Sequence, residues 1–190
     1  MINYHDYCII ENEHLYGPGK RLLLFAQGCS IHCEGCVNSH IWEFGCGKDI
    51  SAEEILGISK KNEVDGITLH GGEPLDQAQA VLEAVKLLKK NGFSVILFTG
   101  YTKKELKGDQ IKIWNLADIV VSGRFVESKK NLYMQFRGST NQRVYTHKGK
   151  YKGYKTVDGQ TVAILTLDDS GSLNIKGFFS DGIKKIIKLQ

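Results

Sequence analysis

Four short apolar runs set the pattern of the first two thirds of the chain. They occupy residues 22–26, 66–70, 94–98 and 118–122, and consist mostly of Leu, Ile, Val and Phe. Runs this short, without polar alternation, are typical of strands that are buried on both faces. We therefore predict four strands inside the molecule.

Helix-start signals fall between these runs. Ser51 and Glu54 have the spacing of a capping box, in which each side chain bonds the other residue's backbone, and they predict a helix that ends near residue 62. Thr102 and Glu105 have the same spacing and predict a shorter helix.

A third helix is expected to begin at Asp76 as its N-cap and to stop at Gly92, which favours a left-handed backbone. Its apolar positions recur every three or four residues and place one stripe against the core. The stripe consists of Ala78, Val81, Leu82, Val85 and Leu88.

Strands that alternate with helices pair in parallel through right-handed crossovers, so the pattern predicts an α/β fold. The chain has 190 residues, fewer than the roughly 200 to 250 that a full eight-fold barrel uses. We predict an incomplete, TIM-like βα barrel of four to six strands over residues 1–145. In such sheets chemistry gathers at the carboxyl ends of the strands.

After about residue 143 the pattern changes to polar, glycine-punctuated segments. We predict a β-rich C-terminal extension over residues 146–190, packed on the core, with strands at 154–157, 161–167 and 173–175. A turn is expected at 168–171. Ser180 is expected to cap a closing helix.

Composition narrows the class of protein. The chain is 42% hydrophobic and 24% charged, with a formal net charge of +4, which fits one globular core. The basic residues are scattered, a weak signal for nucleic acid binding. No apolar run is long enough for a membrane span and the start lacks a signal-peptide pattern, so we expect a cytoplasmic protein that does not bind membranes.

Three of the five cysteines, Cys29, Cys33 and Cys36, form a C-x3-C-x2-C loop directly after the run at 22–26. This clustering favours a metal site in a reducing compartment over disulfides. Three thiolates can ligate three irons of a cubane, whereas a fully ligated [4Fe-4S] cluster takes four. The fourth iron would then be open and could accept the amino and carboxylate groups of S-adenosylmethionine (SAM).

Two other metal sites are compatible with the loop. A zinc site could be completed by Cys46, His32 or His40, although no second C-x2-C pair is present. Cys46 could also be the fourth ligand of an electron-transfer cluster. Cys8 has no assigned role, and Cys46 has none outside these alternatives.

The strand predicted at 66–70 leads into Gly71, Gly72 and Glu73. Two glycines allow a ligand to approach the backbone closely, and their carbonyls could accept hydrogen bonds from an ammonium group. A Gly-Gly pair alone is also typical of a plain tight turn. His70, just before it, is expected to be a hydrogen-bonded structural histidine.

Taken together, these motifs resemble the radical SAM superfamily, and within it the activating enzymes of anaerobic ribonucleotide reductase and related glycyl-radical enzymes. The resemblance spans about residues 17–145. Its segments are GCSIHCEGCVN at 28–38, HGGEPL at 70–75, FTGYT at 98–102, SGRF at 122–125 and FRGSTNQRV at 136–144.

The resemblance implies a set of site residues. The cluster ligands would be Cys29, Cys33 and Cys36, and the SAM-binding residues would be Gly71, Gly72, Glu73, Thr99 and Gly100. No further catalytic residue is implied.

It also implies an activity: the reduced cluster cleaves SAM to a 5'-deoxyadenosyl radical, which installs a glycyl radical on a partner such as anaerobic ribonucleotide reductase. An electron donor such as flavodoxin or ferredoxin would supply the electron. A radical SAM enzyme acting on another peptide or small molecule, and a non-catalytic Fe-S or zinc module, remain alternatives.

Some positions depart from the family pattern or have a simpler interpretation. Ser122 stands where related activating enzymes often have aspartate. Many superfamily members have an aromatic residue before the third cysteine, where this chain has Gly35. The activating subgroup resembles this chain at that position. Arg124 and Arg137 could be surface ion-pair residues, and Trp42 and Trp114 are expected in the core or partly in it.

Overall fold

The computed structural model describes residues 1–146 and 149–160, together with the backbone of two strands at 163–167 and 173–177. Seven strands form one mixed sheet in the order β3-β1-β2-β4-β5-β6-β7. They are β1 (Ile2–Glu11), β2 (Lys20–Ala26), β3 (Lys48–Ile50), β4 (Gly66–Gly71), β5 (Ser94–Thr99), β6 (Ile119–Ser122) and β7 (Arg143–Tyr145).

The four predicted strands are β2, β4, β5 and β6, and they are neighbours paired in parallel, as predicted. The sequence pattern did not predict β1, which pairs antiparallel with β2 and β3. Its ten residues are mostly half-buried or exposed, and only Ile2 and Ile10 are buried, so it lacks a continuous apolar run.

The helices are α1 (Glu13–Tyr16), α2 (Ala52–Lys61), α3 (Ala78–Lys90) and α4 (Gly108–Leu116). The capping box of α2 is confirmed: Glu54 N–H donates to Ser51 Oγ at 3.1 Å and Ser51 N–H donates to Glu54 Oε2 at 2.8 Å. The box at Thr102 opens a single 3-10 turn, Lys103–Glu105.

The prediction that Asp76 caps a helix was wrong. Asp76 lies inside a 3-10 turn, Pro74–Gln77, whose N-cap is Glu73, and α3 begins only at Ala78. Pro74 accounts for this start because its fixed φ suits the first position of a helical turn. The Asp76 carboxylate instead bonds Ser30, 46 residues earlier in the chain.

The core is continuous between the sheet and the helices α2, α3 and α4. Trp114 is fully buried within it, as expected. Along α3, the predicted stripe faces this core, with Val81, Leu82, Val85 and Leu88 buried. Within the part of the chain that the structure describes, no helix is long and apolar enough to cross a membrane.

The C-terminal region differs from its prediction at 154–157, which lies outside any strand. Tyr154 instead hydrogen-bonds Glu13 and Gln135 through its hydroxyl group, so this stretch packs through side chains. Strands β8 (Ala163–Leu167) and β9 (Leu173–Gly177) form an antiparallel pair. The turn predicted at 168–171 and the helix predicted after Ser180 lie outside the described residues.

Candidate metal and cofactor site

One cavity at the carboxyl ends of the parallel strands brings the predicted site residues together. The loop after β2 supplies the cysteines, the end of β4 supplies the glycine turn, and the end of β5 supplies the last two residues. The residues that line this cavity include Cys29, Cys33, Cys36, Gly71, Gly72, Glu73, Thr99 and Gly100.

The cysteine loop is anchored where it leaves β2. Gly28 N–H donates to Ile41 O at 2.9 Å, Cys29 N–H donates to Trp42 O at 3.0 Å, and Glu73 N–H donates to Gly28 O at 2.8 Å. These bonds tie the loop to the segment that follows it and to the glycine turn, so the cysteines and the turn are held in one arrangement.

Backbone N–H groups lie near all three sulfur atoms. Those of Ile31 and His32 lower the pKa of Cys29, and that of Phe125 lowers the pKa of Cys33. Asn38 N lies 3.4 Å from Cys36 Sγ. Backbone donors stabilise thiolates and are among the groups that tune iron-sulfur clusters, so this donor set fits a cluster held by three cysteines.

Burial and backbone N–H groups shift the pKa values of the thiols in opposite directions. Burial raises the pKa of Cys29 and of Cys33, whereas the backbone N–H bonds lower them. The carboxylates of Glu73 and Asp76 also raise the pKa of Cys29, and the Arg124 guanidinium lowers that of Cys33. The charged neighbours therefore differ between the two positions: two carboxylates lie near Cys29, whereas Cys33 has Cys36, which raises its pKa, and the Arg124 guanidinium, which lowers it.

The zinc alternative requires four ligands around one point. Among the described residues, no three His, Cys, Asp or Glu side chains are placed to hold a single metal ion. His32 stacks on Trp42 with ring centroids 4.7 Å apart, and Cys46 is exposed. A cubane differs because each iron takes its own thiolate, so the three sulfurs need not converge on one atom.

Glu73 links the ends of β4 and β5. Its side chain is buried, with the residue only 1% exposed. Thr99 Oγ donates to Oε1 at 2.9 Å, Gly100 N–H donates to Oε2 at 2.8 Å, and Leu75 N–H donates to Oε1 at 2.9 Å. Burial raises the pKa of Glu73 to about 7 despite these three bonds, and Asp76 contributes in the same direction.

The two glycines are required by close backbone contacts. Gly71 has φ of +106°, and a Cβ atom at Gly72 would lie 2.1 Å from Gly28 O. Asn38 Nδ2 donates to Gly71 O at 3.2 Å. A carbonyl oxygen has two lone pairs, so Gly71 O retains the capacity to accept a second donor from a ligand.

His70 also lines the cavity, among aromatic rings. Its Nδ1 accepts Gly71 N–H at 2.6 Å, which agrees with the predicted hydrogen-bonded histidine. The nearest ring is that of Phe98, with centroids 4.5 Å apart. Burial lowers the pKa of His70 to about 4, so the imidazole is neutral near pH 7.

Three other predicted positions have structural partners. Ser122 Oγ donates to Tyr101 O at 2.8 Å. Arg124 pairs with Glu105 at 2.7 Å, and Arg137 bonds both oxygens of Asp158 at 2.7 Å. Both arginines therefore form the ion pairs that the simpler interpretation expected.

The apolar wall of the cavity was not predicted. Phe98, Phe125 and Phe136 begin or lie within the segments FTGYT, SGRF and FRGSTNQRV, so motif membership was the available signal. The other apolar lining residues are Ile31, Val37, Trp42 and Val121. Their contacts join distant parts of the chain, and hydrophobic periodicity does not report such contacts.

Comparison with known proteins identifies relatives. Residues 15–145 match the model of the 4Fe-4S single cluster domain family. The anaerobic ribonucleoside-triphosphate reductase-activating protein of Escherichia coli (strain K12) is 34% identical over 154 residues, covering 76% of this chain and 98% of that protein. Its namesake in Vibrio cholerae is 33% identical, covering 76% and 97%.

The protein of the same name from Enterobacteria phage T4 is 31% identical over 144 residues, covering 71% of this chain and 89% of that protein. Among solved structures, QueE from Escherichia coli aligns with a TM-score of 0.45 and 23% identity over 53% of each chain.

The coverage of the relatives is nearly complete, and the cluster-domain family matches the part of the chain that forms the cavity. These matches confirm the family that the sequence motifs resembled and, with it, a radical SAM enzyme whose cofactors are a [4Fe-4S] cluster and SAM. The chain belongs to the family of anaerobic ribonucleoside-triphosphate reductase-activating proteins.

Proposed function

We propose that Cys29, Cys33 and Cys36 ligate the cluster, and that Gly71, Gly72, Glu73, Thr99 and Gly100 form the SAM site. The observation that carries this assignment is that all eight residues line one cavity. When bound, the reduced cluster supplies the electron that cleaves SAM to methionine and a 5'-deoxyadenosyl radical. We propose that this radical installs a glycyl radical on an anaerobic ribonucleoside-triphosphate reductase.

The chain itself contributes orientation and exclusion of water, the usual tasks of a protein around a reactive cofactor. Backbone N–H groups near Cys29 and Cys33 stabilise the thiolates, and Asn38 N–H donates to Cys36 Sγ. Glu73 fixes the Thr99 side chain and the Gly100 backbone relative to the glycine turn. The aromatic rings around His70, among them Phe98, form an apolar side of the cavity.

Three further features belong to the proposal. The main sheet curves as an incomplete barrel, whose open edge admits a glycine loop of the partner. Residues 1–145 form the radical SAM core and 146–190 an extension packed on it. A low-potential donor such as flavodoxin or ferredoxin reduces the cluster in the cytoplasm.

Electron paramagnetic resonance tests the assignment without the partner. The protein is reconstituted anaerobically with iron and sulfide, reduced, and measured with and without SAM. We expect a [4Fe-4S]+ signal that changes when SAM binds an open iron. A signal indifferent to SAM would instead indicate a fully ligated electron-transfer cluster.

The cysteine variants make the test specific. Cys36→Ala is expected to abolish the signal, whereas Cys46→Ala and Cys8→Ala should retain both the signal and its response to SAM. Cluster loss in Cys46→Ala would contradict the three-ligand assignment. Incubation with the reductase, SAM and a reductant should then produce a glycyl-radical signal on the reductase.

A further inference from the structure

Beside the cluster loop lies a hydrogen-bonded group that the proposed function does not use. Asp76 Oδ2 accepts Ser30 N–H at 2.7 Å, immediately after the ligand Cys29. The hydroxyls of Ser30 and Tyr101 lie 3.0 and 2.8 Å from Asp76 Oδ1. The Asp76 carboxylate is thus held against the first ligand of the loop by three donors.

Tyr101 follows the end of β5 and connects this hydrogen-bonded group to Arg124. The Arg124 guanidinium lies over the Tyr101 ring, 5.9 Å from its centroid, a distance at which a cation and an aromatic face attract each other. Glu105 pairs with Arg124 at 2.7 Å and is itself fixed by Thr102 N–H and Oγ, both at 2.7 Å. Arg124 therefore has a defined position.

That position is next to the second ligand. Phe125, which follows Arg124, lines the same cavity as Cys33, and the Arg124 guanidinium lowers the pKa of that thiol. Asp76 acts on Cys29 with the opposite sign. A negative charge near a cluster opposes the addition of an electron, and a positive charge favours it, because net charge and hydrogen bonding set cluster potentials.

We propose that the Asp76 carboxylate beside Cys29 and the Arg124 guanidinium beside Cys33 together set the reduction potential of the cluster, with Tyr101 holding both in place. The inference rests on the ligand assignment proposed above. All three are positioning residues, since they act through the ligands. The opposed charges balance each other, so the potential depends on both.

The test is an anaerobic redox titration of the reconstituted full-length protein, followed by the [4Fe-4S]+ resonance in the absence of SAM. For Asp76→Asn we expect cluster reduction to become about tenfold more favourable, a positive shift of about 59 mV for one electron. For Arg124→Gln we expect a negative shift, smaller at about threefold because its side chain is 45% exposed and screened by water.

Potential shifts of opposite sign in the two variants distinguish this electrostatic role from a merely structural one. A loosened loop would shift the potential of both variants in the same direction or release iron from both. The double variant Asp76→Asn with Arg124→Gln should lie between the two single variants, with cluster reduction about threefold more favourable than in wild type, a positive shift of about 30 mV. Arg124→Lys, which keeps the charge, should keep the wild-type potential. Tyr101→Phe should shift the potential while iron content stays full.

Matched controls are Asp109→Asn, at a surface pair with Lys112, and Tyr133→Phe, at an exposed ring; neither should change the potential. Unchanged potentials in both Asp76→Asn and Arg124→Gln would overturn the inference while leaving the SAM response, and so the proposed function, intact. If Asp76→Asn fails to hold iron, the Arg124→Gln potential decides: a negative shift supports the inference, and a positive or absent shift contradicts it. A wild-type protein without a SAM-responsive cluster would overturn both.

Discussion

The two ends of the parallel strands β2, β4, β5 and β6 use polar groups in different ways. At the carboxyl ends, thiols and a glycine turn face a cavity. At the amino ends, Arg21 is fully buried and donates to Thr68, Ser94, Ile67 and Pro18. One end is open for ligands, and the other is closed by internal bonds.

Around Arg21 the closed end contains further internal pairs. Asp118 bonds Lys89 Nζ at 2.7 Å and Val95 N–H at 2.7 Å. Lys150 joins the C-terminal segment to Asp65 at 3.1 Å. Burial lowers the pKa of Arg21 to about 10, which leaves it charged at neutral pH. The comparison implies that stability depends mainly on the amino ends and function on the carboxyl ends.

The sharpest test of this division is Arg21→Met. It should lower the free energy of unfolding by about 4 kcal/mol, because it leaves buried carbonyls and hydroxyls without their donor. Urea denaturation of the cluster-free protein measures this. Lys150→Ala, an exposed pair at the same end, should cost about 1 kcal/mol or less, and Cys36→Ala should cost a similarly small amount. A small effect of Arg21→Met would remove the distinction between the ends.

The second test uses the pH dependence of stability, because the pKa values of two groups at the open end, Glu73 and His70, are shifted in opposite directions. Glu73 has a folded pKa of about 7 against its ordinary 4.5, so the native state keeps a proton that the unfolded chain has lost. Its effect makes stability fall as pH rises from 4.5 to 7. His70, at about 4 against 6.5, makes stability rise from pH 4 to 6.5.

These contributions cancel in the window they share, from about pH 4.5 to 6.5. In Glu73→Gln only the histidine remains, and unfolding free energy should rise by up to about 3 kcal/mol across that window relative to wild type. In His70→Phe it should fall by a similar amount. Denaturation of the cluster-free proteins at several pH values measures both slopes, and parallel curves for wild type and variants would contradict the shifts.

The features that could be predicted from the sequence are those set by residues close to one another along the chain. The parallel strands and the α2 cap were predictable because apolar runs and a capping box act within a few residues. The rule that chemistry gathers at carboxyl ends also predicted that Cys29 and Gly71 would lie at the same edge, whereas Thr99 was expected there from the family resemblance. These predictions needed no knowledge of long-range contacts.

What could not be predicted depends on partners distant in sequence. Asp76 has a good local capping signal, yet its partner Ser30 lies 46 residues away. In the sequence, Arg21 is a charged residue directly before the apolar run at 22–26. Only the fold shows that it is buried and bonded to Thr68 and Ser94. The strand β1 was missed because a half-exposed strand has no continuous apolar run.

A smaller effect should come from adding one methyl group at the open end. In Gly72→Ala the new Cβ would press on Gly28 O, next to the first ligand, so we expect about 2 kcal/mol of destabilisation and a loss of cluster loading. The same change at Gly57, an exposed helical glycine with nothing within 4 Å, should stabilise by about 0.5–1 kcal/mol. Iron content and urea denaturation report both. Full iron content and an unchanged SAM response in Gly72→Ala would show that the close contact is not required.

The smallest effect is expected when residues 161–190 are removed. The stretch before them is tied to the core: Tyr151 Oη donates to Pro18 O at 3.2 Å, and Val157 N–H donates to Gln135 Oε1 at 2.7 Å. A chain ending at residue 160 keeps these bonds, so it should retain the SAM-responsive resonance and most of the unfolding free energy of the full chain. A chain ending at residue 150 loses them and should be less stable, since each bond contributes about 1 kcal/mol. If residues 161–190 contact the partner, the chain ending at residue 160 should cleave SAM normally but activate the reductase less. Loss of the cluster in that chain would instead assign these thirty residues to the core, since they are all that it lacks.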